Sequence, residues 1–313
     1  MTDPFHVLVA ESEPPEARER RRRSVGYSSG ESFARTLAWL SPDLRIDRAK
    51  PADADAAVLT PDRIAAYDAV FVTGSPLHVY DDTPEVQREL AFMRAVFRSG
   101  TPAFGSCAGL QVATVAAGGT VRSMGAVREV GFARRLWKTD EGRTHPLLGG
   151  RPPAWDAPAV HTDEVEALPD GATLLASNAT TTVQAVEIRH EGGIFWGVQY
   201  HPELSLAEIA AALRRQASDL IEHGLARDQA SVDAQAALVD ALGSEPTRLD
   251  LAWRLGVDAQ IADKALRSTE LRNFFQHLVA PTRDRRRHLG LAEEVGFEPT
   301  VGVNPRRFSR PLP

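Results

Sequence analysis

The single cysteine of the chain lies in a segment whose composition suits a nucleophile. Cys107 stands in Gly105-Ser106-Cys107-Ala108-Gly109, between an apolar run rich in β-formers and an apolar run of helical type. Glycine two residues to either side of a nucleophile is the pattern of a strand-to-helix elbow, which turns too sharply for side chains at those positions. The N-terminus of the following helix would favour the thiolate. A buried structural cysteine is the alternative, but the glycines and the position favour the nucleophile.

A base and a carboxylate that could serve this cysteine follow the strand-like run 194–200, at His201-Pro202-Glu203. Histidine shuttles protons near neutral pH, and proline after it ends the strand and fixes the chain direction. A carboxylate on the other ring nitrogen would hold the tautomer and stabilise the imidazolium. The tripeptide alone could be a simple strand exit. Together with the cysteine elbow, it makes Cys107, His201 and Glu203 candidates for a catalytic triad.

The elements that must position these residues alternate between strand and helix in the first third of the chain. This order predicts a parallel α/β sheet. The stretch between the first strand and the first helix contains the run Arg20 to Arg23, and we predict a loop with a solvated arginine face there; an anionic substrate or a partner surface is the alternative. The predicted strands are 5–10, 69–73 and 102–106, and the predicted helices are 31–40, 84–97 (with Thr83 as N-cap) and 108–117.

The pattern changes twice further along the chain. After residue 120 it is β-rich, and after 205 the residues follow helical spacing, which predicts about four helices that must bury their apolar faces. Residues 289–313 have no amphipathic period and several prolines, which predicts disorder. We therefore expect a sheet domain at 1–205, a helical extension at 206–285 and a disordered tail at 286–313. The later strands are predicted at 127–137, 172–177, 183–188 and 194–200, with a Pro/Gly-rich loop at 146–158, and the apolar positions of the extension include Leu213, Leu220, Leu251, Trp253, Leu255, Leu266, Leu271, Phe274 and Phe275.

The segment GSCAGLQ, Gly105 to Gln111, resembles the G-x-C-x-G-x-Q nucleophile motif of class I glutamine amidotransferases. The chain is similar to stand-alone members related to the amidotransferase domain of GMP synthase. The resemblance implies an open, mainly parallel, twisted sheet flanked by helices, with Cys107, His201 and Glu203 as the triad. It also implies an oxyanion hole made by backbone N–H groups near Gly74 and Ala108.

The resemblance further implies that Ser75, Gln111, His161 and Asp163 bind substrate. Members often carry Gly-Gly-Pro where this chain has Gly74-Ser75-Pro76, but a backbone N–H serves equally from serine. The segment His161-Thr162-Asp163-Glu164-Val165 is similar to the H-x-D-x-V loop of GMP-synthase-type members, so it would line the pocket or face a partner; a simple loop is the alternative. The other histidines lack such a context, and we predict surface positions for His145, His190 and His223.

Composition limits the functional class. Of the 313 residues, 43% are hydrophobic and 25% charged, ordinary values for a soluble globular protein. A net charge of −6 argues against a nucleic-acid binder. No apolar run reaches the roughly 18 residues of a membrane span, and the N-terminus lacks a signal-peptide pattern, so we expect a cytoplasmic protein without membrane contact. No metal-ligand motif occurs, and no cofactor is expected.

Three functions remain open from the sequence. The first is a glutaminase that releases ammonia from the glutamine side chain through a γ-glutamyl thioester and passes it to a separate synthetase partner. The ATP-cleaving phosphate loop of a complete GMP synthase is missing from the chain. The second is an independent hydrolase of γ-glutamyl peptides or γ-glutamyl amines, which would use the same triad. The third is a non-catalytic scaffold whose helical extension is an interaction module, and the intact triad residues count against it.

Overall fold

The computed structural model describes residues 3–294 and, within them, the side chains of residues 3–289. Its strands form one nine-stranded sheet and one two-stranded sheet. The strands are β1 (His6–Ala10), β2 (Arg45–Ala49), β3 (Ala69–Val72), β4 (Ala103–Ser106), β5 (Thr120–Ser123), β6 (Glu129–Lys138), β7 (Ala154–His161), β8 (Asp163–Ala167), β9 (Ala172–Ser177), β10 (Ala185–His190) and β11 (Gly193–Val198).

Helices separate the early strands and make up most of the chain after residue 205. They are α1 (Pro15–Val25), α2 (Ser29–Leu40), α3 (Pro61–Ala65), α4 (Pro84–Ser99), α5 (Ala108–Ala116), α6 (Asp140–Thr144), α7 (Leu206–Arg215), α8 (Ala217–Glu222), α9 (Gln229–Ser244), α10 (Leu249–Leu255), α11 (Ala259–Ala262), α12 (Lys264–Arg267), α13 (Thr269–Phe274) and α14 (Ala280–Glu294), with a 3-10 turn at Pro146–Leu148 and a π-helical turn at Phe275–Val279.

The large sheet has the order β2-β1-β3-β4-β11-β10-β9-β6-β7. The first five strands in this order are parallel to one another, and antiparallel strands continue the sheet from β11 to β7. The pairing of Ser106 with Val198 brings the ends of β4 and β11 to the same level. The predicted α/β sheet flanked by helices is therefore confirmed, and its parallel part carries the predicted nucleophile and base.

Both faces of the inner parallel strands β1, β3, β4 and β11 are buried, as expected for continuous apolar runs such as 69–72, whereas the edge strand β2 is partly exposed. Val7 and Val9 of β1 point to one face, where they pack with α2 and α13. Leu8 and Ala10 point to the opposite face, which is covered by α3, α4 and α5. The alternation along each strand thus supplies apolar side chains to two helical layers.

The C-terminal helices are part of this packing. Phe274 is fully buried and packs edge-to-face on Phe71, with 5.3 Å between ring centroids, and on Trp196, with 5.9 Å. Earlier in the extension, α7 to α11 form a cluster with Phe132 of β6 and Val160 of β7. The extension therefore packs on the sheet domain through α7, α11 and α13, while α9 packs on α7 and α10 packs on α9.

Several predictions from the sequence are corrected by the structure. The stretch 11–30 is not a loop: it contains helix α1, which runs from Pro15 to Val25 and is followed by Gly26 as C-cap, with φ 88°. The predicted loop at 146–158 contains the start of β7, an edge strand in which Pro158 needs no N–H for the ladder. Trp253 is 86% exposed and not part of the core.

Other predictions are altered in detail. His145 is only partly exposed, because its Nε2 lies 3.2 Å from Oε2 of the buried Glu187. The residues after 205 form more and shorter helices than the four predicted. The first part of the predicted tail belongs to α14, which reaches Glu294, and residues 295–313 lie outside the described residues. No helix within 3–294 has both the length and the apolar character of a membrane span.

Candidate active site

Cys107 occupies a sharp turn between β4 and α5. Its backbone has φ 54° and ψ −112°, a conformation that costs energy for any residue with a Cβ. The flanking glycines are required by close packing: a Cβ at Gly105 would lie 2.8 Å from backbone carbon of Gly109, and a Cβ at Gly109 would lie 2.5 Å from the carbonyl oxygen of Val72. The predicted elbow geometry is thus present.

The thiol of Cys107 lies where the ends of three strands meet. The Cys107 N–H donates to the carbonyl of Val198 at the end of β11, at 2.9 Å. The Sγ lies 3.7 Å from the carbonyl oxygen of Val160 in β7. Cys107 is buried, with only 6% of its surface exposed. The cysteine is therefore held at the floor of a recess and not on the open surface.

His201 and Glu203 form a buried pair beside this cysteine. Nδ1 of His201 lies 2.7 Å from Oε1 of Glu203, and the hydroxyl of Ser106 donates to the same oxygen at 2.9 Å. Burial lowers the pKa of His201, but the Glu203 carboxylate and the Cys107 thiol raise it by more, to about 10. The arrangement favours the imidazolium form of His201, which can donate a proton to a leaving group next to Cys107.

The backbone that carries this pair is fixed by residues distant in sequence. The His201 N–H donates to the carbonyl of Pro158 at 2.7 Å, which ties the loop to β7. The hydroxyl of Thr36 in α2 donates to the Glu203 carbonyl at 2.9 Å. From the helical extension, Nε of Arg267 donates to the carbonyl of Leu204 at 3.1 Å. The extension therefore contributes to the position of the His-Pro-Glu loop.

Gly74 and Ala108 lie on either side of the thiol. A Cβ at Gly74 would lie 2.9 Å from Cε1 of His201 and 3.7 Å from Cβ of Cys107, so the loop after β3 passes directly against both side chains. Ala108 is the first residue of α5, and the N–H groups of a first helical turn have no acceptor within the helix. The two residues predicted to form the oxyanion hole are thus next to the cysteine.

Ser75 and Gln111 border the same recess, but their polar atoms are engaged by protein. The Ser75 hydroxyl donates to the carbonyl of Ser12 at 2.9 Å and accepts from the N–H of Leu77 at 3.1 Å. Nε2 of the buried Gln111 donates to the Asp163 carbonyl at 3.1 Å. Both side chains therefore hold neighbouring loops in place and help to position the residues that border the pocket.

His161 is buried in a polar network that the sequence did not reveal. Its Nε2 lies 2.8 Å from Oε2 of Glu129 and its Nδ1 lies 3.0 Å from the Asp163 carbonyl oxygen. Both ring nitrogens are therefore engaged by oxygen atoms of the protein. Although burial raises the pKa of Glu129, hydrogen bonds from His161, Asn178 and Gln184 lower it below its ordinary value. His161 therefore has no free ring nitrogen with which to act as a base.

The carboxylate of Asp163 is also occupied. Its Oδ2 lies 2.6 Å from Nδ1 of His78, and its Oδ1 accepts from the Tyr80 hydroxyl at 3.1 Å. The rings of His78 and Tyr80 are stacked with centroids 5.4 Å apart. These contacts fasten the loop after β3 to the start of β8. Neither His78 nor Glu129 was predicted, because their roles depend on partners far away in the sequence.

A cavity of about 560 Å³ opens over the thiol. Cys107, Gly74, Gln111 and His201 border one side of it, and residues of α1 and α7 border the other, including arginines of the run that the sequence analysis placed in a loop. Within residues 3–289 no three His, Cys, Asp or Glu side chains are grouped so that they could hold a metal ion. The site is therefore composed of a cysteine, a histidine–carboxylate pair and a polar cavity.

The chain matches known proteins over most of its length. Residues 30–218 match the family model of class I glutamine amidotransferases. A γ-glutamyl-L-1-hydroxyisopropylamide hydrolase from a Pseudomonas species is 36% identical over 287 residues, which cover 90% of this chain and 96% of the relative. The GMP synthase of Thiobacillus denitrificans is 34% identical over 152 residues, which cover 45% of this chain but only 26% of that protein.

Solved structures agree in fold. A glutamine amidotransferase from Thermotoga maritima superposes with a TM-score of 0.58 at 13% identity, covering 89% of this chain and 99% of the other. A glutamine amidotransferase from Methylobacillus flagellatus gives a TM-score of 0.52 at 17% identity, covering 88% and 95%. On the family match and on the long alignment with the Pseudomonas hydrolase, the chain belongs to the class I glutamine amidotransferase family and is a hydrolytic enzyme.

Proposed function

We propose that this protein hydrolyses the γ-amide bond of γ-glutamyl derivatives of small amines, with Cys107 as nucleophile, His201 as proton shuttle and Glu203 as its orienting carboxylate. The observation that supports the chemistry best is the buried chain of contacts from Ser106 and Glu203 to His201 beside the cysteine. The likeness to the Pseudomonas γ-glutamyl-L-1-hydroxyisopropylamide hydrolase supports the substrate class. With 96% of that relative matched, the alignment includes the helical extension.

The first half-reaction breaks the amide. The Cys107 thiolate attacks the γ-carbonyl carbon, and the carbonyl oxygen becomes an oxyanion that accepts from backbone N–H groups near Gly74 and Ala108. The His201 imidazolium then donates its proton to the amide nitrogen, the C–N bond breaks, and the amine leaves. A γ-glutamyl thioester on Cys107 and a neutral His201 remain.

The second half-reaction regenerates the enzyme. Neutral His201 takes a proton from a water molecule, whose oxygen attacks the thioester carbon. The C–S bond breaks and the γ-carboxylic acid of glutamate is released, which loses its second water-derived proton to solvent, while the thiolate is again paired with the imidazolium. Glu203 keeps its charge throughout and stabilises the imidazolium in both halves.

A second candidate substrate is the side-chain amide of free glutamine, with ammonia passed to a separate synthetase. The alignment with the amidotransferase portion of GMP synthases supports this candidate. Helices α7 and α13 of the extension pack on the sheet domain, whereas Leu249 and Trp253 of α10 are 82% and 86% exposed and could contact a partner. The two candidates differ in the leaving group and not in the triad.

The test is a comparison of purified full-length protein on γ-glutamyl-isopropylamide and on glutamine, with released glutamate as the common readout. We expect a kcat/KM at least tenfold higher for the isopropylamide, and no turnover of either substrate by Cys107→Ala. Preference for glutamine, above all one that requires cell extract, would support the ammonia-donating function. Turnover of neither substrate would refute the proposed substrate class, and activity retained by Cys107→Ala would refute the nucleophile.

A further inference from the structure

Helix α1 forms one side of the cavity over the thiol, where the sequence had predicted a solvated loop. Ala17, Arg20 and Arg21 of this helix border the cavity, together with Glu13 just before it. Arg215, at the end of α7, borders the cavity from the same side. Part of the arginine run is therefore directed to the space in which a substrate would lie.

Most charged side chains that border the cavity are already paired. Among the described residues, three have no oppositely charged group within 4.0 Å, and all three lie on the side of the cavity formed by α1 and α7: Glu13, Arg20 and Arg215. The paired ones are Asp163 with His78, Glu203 with His201, His161 with Glu129 and Arg21 with Glu208. Charge that is not neutralised by protein at the border of a cavity is available to a charged ligand.

Local contacts hold Glu13 and Arg215 in place, whereas Arg20 is exposed at the border of the cavity. Glu13 is buried and accepts from the N–H of Ser29 at 3.1 Å. Arg215 donates to the Ser24 hydroxyl of α1 at 2.9 Å, which keeps its guanidinium against that helix. Partial burial lowers the pKa of Arg215, and the neighbouring Arg21 lowers it further, while Glu13 and Glu208 act in the opposite direction. Arg20 and Arg215 both border the cavity without an acidic partner among the described residues, so both guanidinium groups are available to an anion there.

We propose that Glu13, Arg20 and Arg215 form the subsite for the amino-acid end of the γ-glutamyl substrate. Arg20 and Arg215 bind the α-carboxylate, and Glu13 accepts from the α-ammonium. Guanidinium groups match a carboxylate in geometry and charge, and the zwitterionic end is shared by every γ-glutamyl compound. The assignment rests on the proposed function, since it takes the γ-carbonyl to lie at Cys107.

A carboxylate on the leaving amine would have the same chemistry as the α-carboxylate. The presence of Glu13 beside the arginines favours the α-position, because only the glutamyl end carries a cation next to its carboxylate. Substrates that differ by one charged group separate the two sources. Removing the α-carboxylate gives N-isopropyl-4-aminobutanamide, removing the α-ammonium gives the mono-isopropylamide of glutaric acid, and γ-glutamylglycine adds a carboxylate to the leaving amine.

The variants are Arg20→Gln, Arg215→Gln and Glu13→Gln, with Arg23→Gln as the matched control. Arg23 lies in the same helix, is exposed and does not border the cavity. Loss of one charged hydrogen bond should raise the KM for γ-glutamyl-isopropylamide about tenfold, with kcat nearly unchanged, because the contact is the same in ground state and transition state.

The substrate analogues test which charged group of the substrate each residue binds. The two arginine variants should equal wild type on N-isopropyl-4-aminobutanamide, which has no α-carboxylate, and Glu13→Gln should equal wild type on the glutaric mono-isopropylamide. If the arginine variants match Arg23→Gln on γ-glutamyl-isopropylamide, the subsite is wrong. A loss confined to γ-glutamylglycine would also overturn the assignment, since it would place the carboxylate on the leaving amine.

A binding measurement separates this inference from the proposed function. Calorimetric titration of Cys107→Ala protein with L-glutamate measures the affinity of the subsite without any turnover. We expect binding that weakens about tenfold in Cys107→Ala combined with Arg20→Gln or Arg215→Gln, and that is unchanged with Arg23→Gln. Equal glutamate affinity in all of these proteins, or no binding in any, would refute the subsite even if the wild-type enzyme hydrolyses γ-glutamyl amides. An inactive wild type whose Cys107→Ala form binds glutamate in this way would instead refute only the proposed reaction.

Discussion

Replacement of Glu203 by glutamine tests how the carboxylate acts on the histidine. In the folded protein, Glu203 Oε1 lies 2.7 Å from Nδ1 of His201, and both side chains are buried, so solvent and salt screen the interaction little. The pKa of His201 is raised from its ordinary 6.5 to about 10. A raised pKa means that the imidazolium persists below about pH 10 and is lost as the pH rises through that value. In the pH profile of kcat/KM, the decline at high pH (the alkaline limb) should therefore have its midpoint near pH 10.

The size of the effect follows from the charge that is removed. Glutamine can keep an oxygen toward His201 and the Ser106 hydroxyl, with its amide nitrogen where Oε2 lies; that oxygen has no hydrogen-bond partner in the described part of the chain. Loss of an adjacent opposite charge lowers the pKa of a cation by about one to three units. We expect the midpoint of the alkaline limb to move to lower pH by about one to three units. We also expect kcat to fall about 10²- to 10⁴-fold.

The assay is initial-rate glutamate release from γ-glutamyl-isopropylamide between pH 6 and 11, with circular dichroism at each pH to confirm the folded state. Glu187→Gln is the matched control, because Glu187 forms a comparable contact with His145, at 3.2 Å, away from the cavity. An alkaline limb at the same pH in wild type and Glu203→Gln would refute the electrostatic role of the carboxylate. A limb that shifts equally in Glu187→Gln would show an effect of stability rather than of the triad.

Three further changes test the site and the fold. Cys107→Ala should remain folded, since alanine is smaller, and should lose several orders of magnitude in kcat, measured as glutamate release; activity near wild type would exclude it as nucleophile. His201→Asn should be as damaging as the cysteine change, whereas His161→Asn should act mainly through stability, read from the pH-rate profile and thermal unfolding; the reverse pattern would mean that the base is misassigned. Phe274→Ala should cost about 3–5 kcal/mol in the free energy of unfolding, measured with denaturant. Truncation after residue 205 removes this side chain and should yield insoluble protein. A soluble, fully active fragment would refute the packing argument.

The candidate catalytic residues could be predicted because most of their signals are local. Gly105 is required by its contact with the backbone of Gly109 within the elbow itself, whereas Gly109 is required by the neighbouring strand at Val72. His201-Pro202-Glu203 is also contiguous, and its Nδ1 to carboxylate contact spans only two residues. Thr83 likewise caps α4 through the N–H of Val86, a contact within one turn.

The surroundings of the site could not be predicted in the same way. Ser75, Gln111 and Asp163 border the cavity as expected, but their polar groups bind protein partners that lie far away in the sequence, such as Ser12 and His78. Glu129 is an unremarkable acid in the sequence and becomes the centre of a buried network only because β6 and β7 pair in register. No periodicity in the sequence encodes such a contact.

The sequence by itself determined where the longer apolar runs form buried strands, where the chain turns sharply at Cys107, and which histidine and carboxylate follow a strand end. Tertiary structure alone decided what surrounds them. It turned the arginine run of α1 toward the cavity, and it placed Phe274 against the parallel strands so that the helical extension became part of the core. The physical reason is the range of the interactions, since turns and caps act over a few residues, whereas burial and charge pairing act between elements that only the folded chain brings together.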